Sequence, residues 1–106
     1  MLDEELLSRL ESNLDMIEFT SRKMFGGIGI FSEKIMFSLI YGGVLYFKST
    51  EDIALKYSKD SFQFQHPSRD SKMPYWSAPE SVLNDKAILS EWANKAFKLA
   101  KTLKKK

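Results

Sequence analysis

The chain has 106 residues, of which 43% are hydrophobic and 28% are charged, with a formal net charge of +2. This length and composition fit one globular domain over residues 1–106 and exclude an intrinsically disordered chain. It contains no cysteine, which excludes disulfides and thiolate zinc sites. The acidic start, MLDEELL, lacks the basic region of a signal peptide, and the longest uncharged run, residues 35–47, is too short to span a membrane. We therefore expect a cytoplasmic protein with no membrane partner.

The charge is unevenly distributed along the chain. Residues 1–83 carry 9 basic and 12 acidic side chains, whereas residues 84–106 carry 7 basic and 2 acidic ones. A split of this kind is a weak pointer to a polyanionic partner.

The N-terminal segment has the apolar spacing of an amphipathic helix over about residues 3–18. Three strands are then predicted, at residues 24–31, 35–41 and 44–48. The Gly42-Gly43 pair fits a two-residue type I′ hairpin turn between the last two. In that register Tyr41 faces Val44, Leu39 faces Tyr46 and Phe37 faces Lys48, so both faces of the hairpin are apolar.

The second half of the chain mixes short elements with one long helix. We expect a short helix after Ser49-Thr50, a half-buried strand at residues 62–66, a loop at 67–70 and a strand in MPYWSAPE. Asn84 is expected to cap the last helix, whose inner stripe is Ala87, Leu89, Trp92, Ala93, Ala96, Ala100 and Leu103. The order α-β-β-β-α-β-β-α predicts an α+β fold: a mostly antiparallel five-stranded sheet with helices packed mainly on one face.

Three glycines, Gly26, Gly27 and Gly29, lie within one apolar strand. They do not form a dinucleotide fingerprint, which needs G-x-G-x-x-G leading into a helix, nor a Walker loop. Glycine weakens a strand interior unless something approaches its backbone closely. We therefore expect a neighbouring group, with Trp92 as a candidate, to pack directly on this strand or a bulge to occur there.

Candidate catalytic groups have simpler explanations. His66 is the only histidine, and its neighbours Ser68 and Asp70 share a loop but no nucleophile-elbow sequence. The pairs Glu4-Glu5 and Glu51-Asp52 fit first-turn helix positions, where the helix dipole favours acids. We predict no catalytic, metal or cofactor residue, and no enzyme.

The last helix carries a basic stripe of Lys95, Lys98 and Lys101, followed by residues 104–106. Lysines in a row can neutralise phosphates without reading bases, which makes them candidate nucleic-acid contacts. A solvated face, supported by a Glu91–Lys95 pair, and docking beside the acidic first helix are the alternatives, and the net acidic remainder of the chain favours them over phosphate binding. Arg22 and Lys23 would extend the stripe only if the fold brings them near.

Aromatic residues make up 13% of the chain. The sheet motif of aromatic RNA binders is absent, and core packing explains most of these rings. Because the hairpin is apolar on both faces, we predict an exposed apolar sheet face that supports a homodimer.

The stretches RKMFGGIGIF, LYFKS, MPYWSAPE and EWANKAFKLA together resemble the TfoX/Sxy N-terminal domain family. The resemblance covers nearly the whole chain and implies a secretion-chaperone-like α+β fold. It also implies a role in regulating DNA-transformation competence, acting with the transcription machinery or an activator such as the cyclic-AMP receptor protein. Residues 22–27 match the family motif, but the resemblance transfers no catalytic or cofactor role to them. Family regulators usually add a C-terminal helix-hairpin domain, which is not among these 106 residues.

Two main hypotheses follow. The first is a non-enzymatic regulatory or adaptor domain that binds a transcription protein. The alternative is direct nucleic-acid binding through the basic C-terminal helix. A small-molecule site around Gly26–Gly29 has the least support.

Overall fold

The computed structural model describes residues 2–14, 18–24, 26–65 and 73–104. Within them the elements are α1 (Leu2–Asn13), β1 (Thr20–Met24), β2 (Gly27–Ser32), β3 (Ile35–Tyr41), β4 (Val44–Lys48), α2 (Glu51–Tyr57), β5 (Tyr75–Ala78), α3 (Glu80–Leu83) and α4 (Lys86–Lys104). The strands form one antiparallel sheet in the order β1-β2-β3-β4-β5. The predicted α+β class with a five-stranded antiparallel sheet is confirmed.

One face of the sheet, here the helix face, carries the main core. Every described helix contributes to it, and α4 lies across β3 and β4. At its centre Trp92 is fully buried, with its ring 5.2 Å from Phe47 and stacked 5.0 Å from Tyr57. Its indole Nε1 has no hydrogen-bond partner among the described residues, so packing alone holds the ring in place. The prediction that the helices pack mainly on one face is confirmed.

The opposite face, here the second face, carries a smaller core. It consists of Leu39, Tyr46, Phe64 and Tyr75, with Met36, Tyr41, Val44 and Met73 packed around them. Phe64 comes from residues 61–65, which run along the outer edge of β5, and its N–H donates to the carbonyl of Tyr75 at 2.8 Å. The β3–β4 hairpin is apolar on both faces because each face belongs to a core.

Two strand boundaries differ from the sequence prediction. Residues 24–31 do not form one strand, because Gly26, at φ +80°, reverses the chain between β1 and β2. Strand β1 was not predicted because four of its five positions are exposed and its sequence, TSRKM, is mostly polar. Conversely, residues 62–65 form no strand. Gln63 makes only an isolated bridge to Trp76, and His66 lies outside the described residues.

A β-bulge shifts the register of β3. Leu39 pairs with Tyr46 and Tyr41 with Val44, as predicted. On the β2 side, Ile30 pairs with Ser38 and the next residue, Phe31, pairs with Met36, so Phe37 has no partner in β2 and is the extra residue of the bulge. The prediction that Phe37 faces Lys48 is wrong for this reason. Phe37 instead turns into the helix-face core, 5.9 Å from the ring of Phe97.

Helix α4 begins one residue later than predicted. Asn84 is the C-cap of α3, and the carboxylate of Asp85 accepts from the N–H groups of Ala87 and Ile88, each at 3.2 Å. Two adjacent residues with similar capping ability cannot be ranked from sequence. The short helix α2 is capped by Thr50, as predicted. None of the described helices is long and apolar enough to cross a membrane.

Candidate partner-binding surface

Gly27 and Gly29 are buried, whereas Gly26 is exposed and, together with Gly27, lines a cavity of about 400 Å³. Gly26 serves the β1–β2 turn through its positive φ. A β-carbon on Gly27 would meet the backbone carbonyl of Ile40, and one on Gly29 would lie 2.5 Å from the sulfur of Met24. Both of these contacts would lie on the second face of the sheet or along the edge of strand β2. Trp92 is not the neighbouring group, because it is buried in the helix-face core.

Arg22 and Lys23 point to opposite sides of the edge strand β1. Arg22 pairs with Gly29 in the sheet and places its guanidinium 5.3 Å from the ring centre of Phe31, on the second face. Lys23 points toward the helix side, where its ammonium is 3.9 Å from the carboxylate of Glu4. Both partners of that ion pair are largely exposed, so it contributes little to stability.

The α4 lysines lie on the helix side of the sheet. The ammonium of Lys95 is 5.3 Å from the ring centre of Tyr57, and that of Lys101 is 5.1 Å from the ring centre of Phe97. Lys98 is exposed between them. Arg22 thus contacts a ring on the second face, whereas Lys95 and Lys101 contact rings on the helix side.

Two acidic residues of α1 have other partners. Asp3 accepts from the N–H of Gly43 at 2.7 Å, and Glu4 pairs with Lys23 at 3.9 Å. Across the described residues no ion pair joins α1 to Lys95, Lys98 or Lys101.

Glu91 accepts a hydrogen bond from the hydroxyl of Tyr57 at 2.7 Å, while Lys95 lies over the same tyrosine ring. Partial burial, followed by the hydrogen bond to Glu91, raises the pKa of Tyr57. The predicted Glu91–Lys95 pairing is thus replaced by an arrangement in which both residues contact Tyr57 and hold α2 on α4.

A groove opens at the end of the sheet where the β2–β3 turn, the end of β4 and the start of β5 meet the last turns of α4. This end groove has a volume of about 320 Å³ and is lined by Phe31, Lys34, Ile35, Met36, Lys48, Tyr75, Ala100 and Leu103. The ammonium of Lys48 lies 5.6 Å from the ring centre of Tyr75. Burial lowers the pKa of Lys48 and raises that of Tyr75 to about 12.

A second cavity of about 550 Å³ adjoins the end groove, sharing Phe31 and Lys34 with it. It extends along the outer edge of the sheet past Arg22. Unlike the end groove, it is lined by two carboxylates, Glu18 and Glu33.

Sequence reasoning missed Lys34, Lys48 and Tyr75 as candidate site residues. They lie in three separate stretches of the chain, and only the folded sheet brings them to one groove. The one available signal was Lys48, a cation directly after the apolar run VLYF.

No group of three His, Asp or Glu side chains among the described residues could hold a metal ion. His66, Ser68 and Asp70 lie outside the described residues.

Comparison with known proteins gives one family. The model of the TfoX N-terminal domain matches residues 12–100, which cover α2, α3, all five strands and most of α4. A search of curated proteins finds no match. Because the match covers most of the chain, the protein belongs to the TfoX N-terminal domain family.

Proposed function

We propose that this chain is a non-enzymatic regulatory domain that acts in the cytoplasm. It would contribute to the control of DNA-transformation competence by contacting a protein of the transcription machinery or an activator. Membership of the TfoX N-terminal domain family supports the regulatory role.

The observation that carries the protein-contact proposal is the uneven covering of the second face. Residues 61–65 and Met73 cover the part formed by β3 to β5, where Leu39 and Tyr46 are buried. The part nearer β1 and β2 leaves Phe31 and Met36 half-exposed beside Arg22. Apolar side chains next to cations, with no helix among the described residues packed over them, are typical of a partner surface.

Affinity capture tests this proposal. The immobilised domain is incubated with lysate of the organism that encodes it, after nuclease treatment, in parallel with the variants Phe31→Asp and Leu55→Ser. Leu55 is the matched control because it is an exposed apolar residue on α2, on the helix side. We expect a transcription protein to be retained by the wild type and by Leu55→Ser but not by Phe31→Asp. Equal retention by all three proteins, or none after nuclease, would contradict the proposal.

Direct nucleic-acid binding through α4 is the second candidate. It is favoured by the position of Lys95, Lys98 and Lys101, none of which has a carboxylate within ion-pair distance among the described residues. Phosphate contacts release counterions, so affinity for a labelled DNA or RNA duplex should fall steeply with salt. Replacing all three lysines by Glu should abolish binding, whereas the control Lys56→Glu/Lys59→Glu on the α2 side should retain it.

A homodimer through the second face remains a prediction. Residues 61–65 cover the central part of that face, so the available surface is the part near Phe31 and Met36. Sedimentation equilibrium should show a concentration-dependent dimer that Phe31→Asp dissociates. A wild-type monomer at all concentrations would exclude it.

A further inference from the structure

The end groove combines a cation with apolar walls. Its floor is the ring of Tyr75, which is buried, with the Lys48 ammonium 5.6 Å from the ring centre. Met36 and Phe31 are half-buried on one side, and Leu103 of α4, 40% exposed, lies on the other.

Within the part of the chain that the structure describes, Lys48 has no anionic partner. It is half-buried, and no carboxylate lies within ion-pair distance of it among the described residues. The described residues that line the groove include Lys34 as a second cation and no acid. A partly desolvated ammonium gains more from a carboxylate than an exposed one does, because the local dielectric is lower.

We propose that the end groove binds an acidic, apolar peptide segment of a partner protein. One carboxylate of the segment contacts the Lys48 ammonium, and a neighbouring apolar side chain packs between Met36 and Leu103. This proposal rests on the proposed function, since it names the chemistry of the partner that the second face would receive.

The charges around the groove favour a peptide over a nucleic acid. A phosphate backbone carries regularly repeated charges and would continue from the groove into the adjoining cavity. There Glu18 and Glu33 offset the charges of Arg22 and Lys34, so the cavity offers no excess of positive charge to a second phosphate. A short peptide needs to place only one carboxylate, and the groove volume of about 320 Å³ suits one or two side chains.

The test is a titration of the ¹⁵N-labelled protein, followed by NMR, with two peptides and one oligonucleotide. The probes are acetyl-Asp-Leu-Glu-Phe-amide, its uncharged counterpart acetyl-Asn-Leu-Gln-Phe-amide, and a ten-nucleotide oligothymidine. We expect the acidic peptide to shift the amide signals of Lys48, Tyr75 and Leu103. The uncharged peptide should bind about tenfold more weakly, the loss that one charge-assisted hydrogen bond implies.

Variants then assign the effect to Lys48. Lys48→Met keeps the aliphatic stem and removes the charge, so it should weaken binding of the acidic peptide about tenfold and leave the uncharged peptide unaffected. Lys56→Met, an exposed lysine on α2, is the matched control and should bind both peptides like the wild type. A spectrum of Lys48→Met that matches the wild type outside the groove shows that the variant is folded.

Three results would overturn the proposal: shifts located away from the groove, equal affinity for the two peptides, or groove shifts produced by the oligothymidine and not by the peptide. Capture from lysate separates this proposal from the proposed function. A transcription protein retained equally by the wild type and Lys48→Met would reject the groove and keep the regulatory role. If no protein were captured, the regulatory role would be rejected. The peptide titration would still decide whether the groove binds an acidic peptide.

Discussion

The backbone carbonyl of Ile40 on β3 occupies the space that a β-carbon on Gly27 of β2 would need. Neither backbone can move without breaking the ladder between the two strands. We therefore expect Gly27→Ala to lower the free energy of unfolding by about 3 kcal/mol, at the upper end of typical overpacking costs. Urea denaturation followed by circular dichroism measures this change.

Gly29 provides the matched comparison. A β-carbon there would meet the sulfur of Met24, at the far end of a flexible side chain that can move aside. Gly29→Ala should therefore cost only about 1 kcal/mol, and the double variant with Met24→Ala should show a favourable coupling between the two sites. If Gly29→Ala were as damaging as Gly27→Ala, side-chain flexibility would not be what separates these positions.

The β2–β3 turn is strained. Glu33 and Lys34 have φ values of 51° and 67°, a left-handed conformation that costs non-glycine residues energy. Replacing them with Asn-Gly, the pair that type I′ turns favour, should raise the free energy of unfolding by about 1 kcal/mol. Thermal unfolding should show a higher midpoint.

The β3–β4 turn is the control for this strain. Gly42 has φ 58° and open space around its Cα, so Gly42→Ala changes only the backbone preference. It should lower the free energy of unfolding by about 1 kcal/mol. An unchanged stability for both turn variants would show that these φ values carry no strain.

Asp85 should be the residue that stabilises the start of α4. Its carboxylate accepts from two backbone N–H groups that have no partner within the helix. Asp85→Ala should cost about 1 kcal/mol, and Asp85→Asn much less because the amide oxygen still accepts. Ser81→Ala, at an exposed position in α3, should have almost no effect. If Ser81→Ala lowered the free energy of unfolding more than Asp85→Ala, Asp85 would not be the residue that caps α4.

Stability should fall at high pH because of Tyr75. Its pKa is about 12 in the folded protein, raised by burial from the usual 10. Between these values the unfolded chain loses the proton while the folded protein keeps it, so unfolding becomes easier as the pH rises. The loss approaches about 1.4 kcal/mol per pH unit for this residue.

Other groups modify this pH dependence. The raised pKa of Tyr57 acts in the same direction, whereas the lowered pKa of Lys48, whose ammonium lies over the Tyr75 ring, acts in the opposite one. Tyr75→Phe should therefore flatten the decline between pH 10 and 12 without abolishing it. Denaturant titrations at a series of pH values would reveal an equal decline in both proteins if Tyr75 were not responsible.

The features of the fold that depend on local sequence patterns could be predicted from the sequence. Gly42-Gly43 specified a hairpin turn, and the pairing of Leu39 with Tyr46 followed from it. The bulge at Phe37 could not be predicted, because it depends on the space beneath α4 near Phe97, which is 60 residues further along the chain. Strand β1 could not be predicted because an edge strand with exposed polar side chains has no hydrophobic periodicity.

The candidate surface was less predictable than the fold. Arg22 was recognised as a candidate contact, but its position over Phe31 depends on the turn at Gly26. Lys48 and Leu103 line one groove only because the last turns of α4 lie near the end of β4 in the folded protein. Contacts between residues so far apart in sequence leave no local signature.

Because the aromatic residues are divided between two cores, the intrinsic fluorescence of the protein can distinguish changes in the two cores. Both tryptophans, Trp76 and Trp92, pack on the helix face, whereas the other core contains tyrosine and phenylalanine. The emission of Trp92 therefore follows one layer of the molecule. A partner that displaced residues 61–65 would break the bridge between Gln63 and Trp76 and leave Trp92 in its core, so Trp76 and the tyrosines of the second face would report its binding.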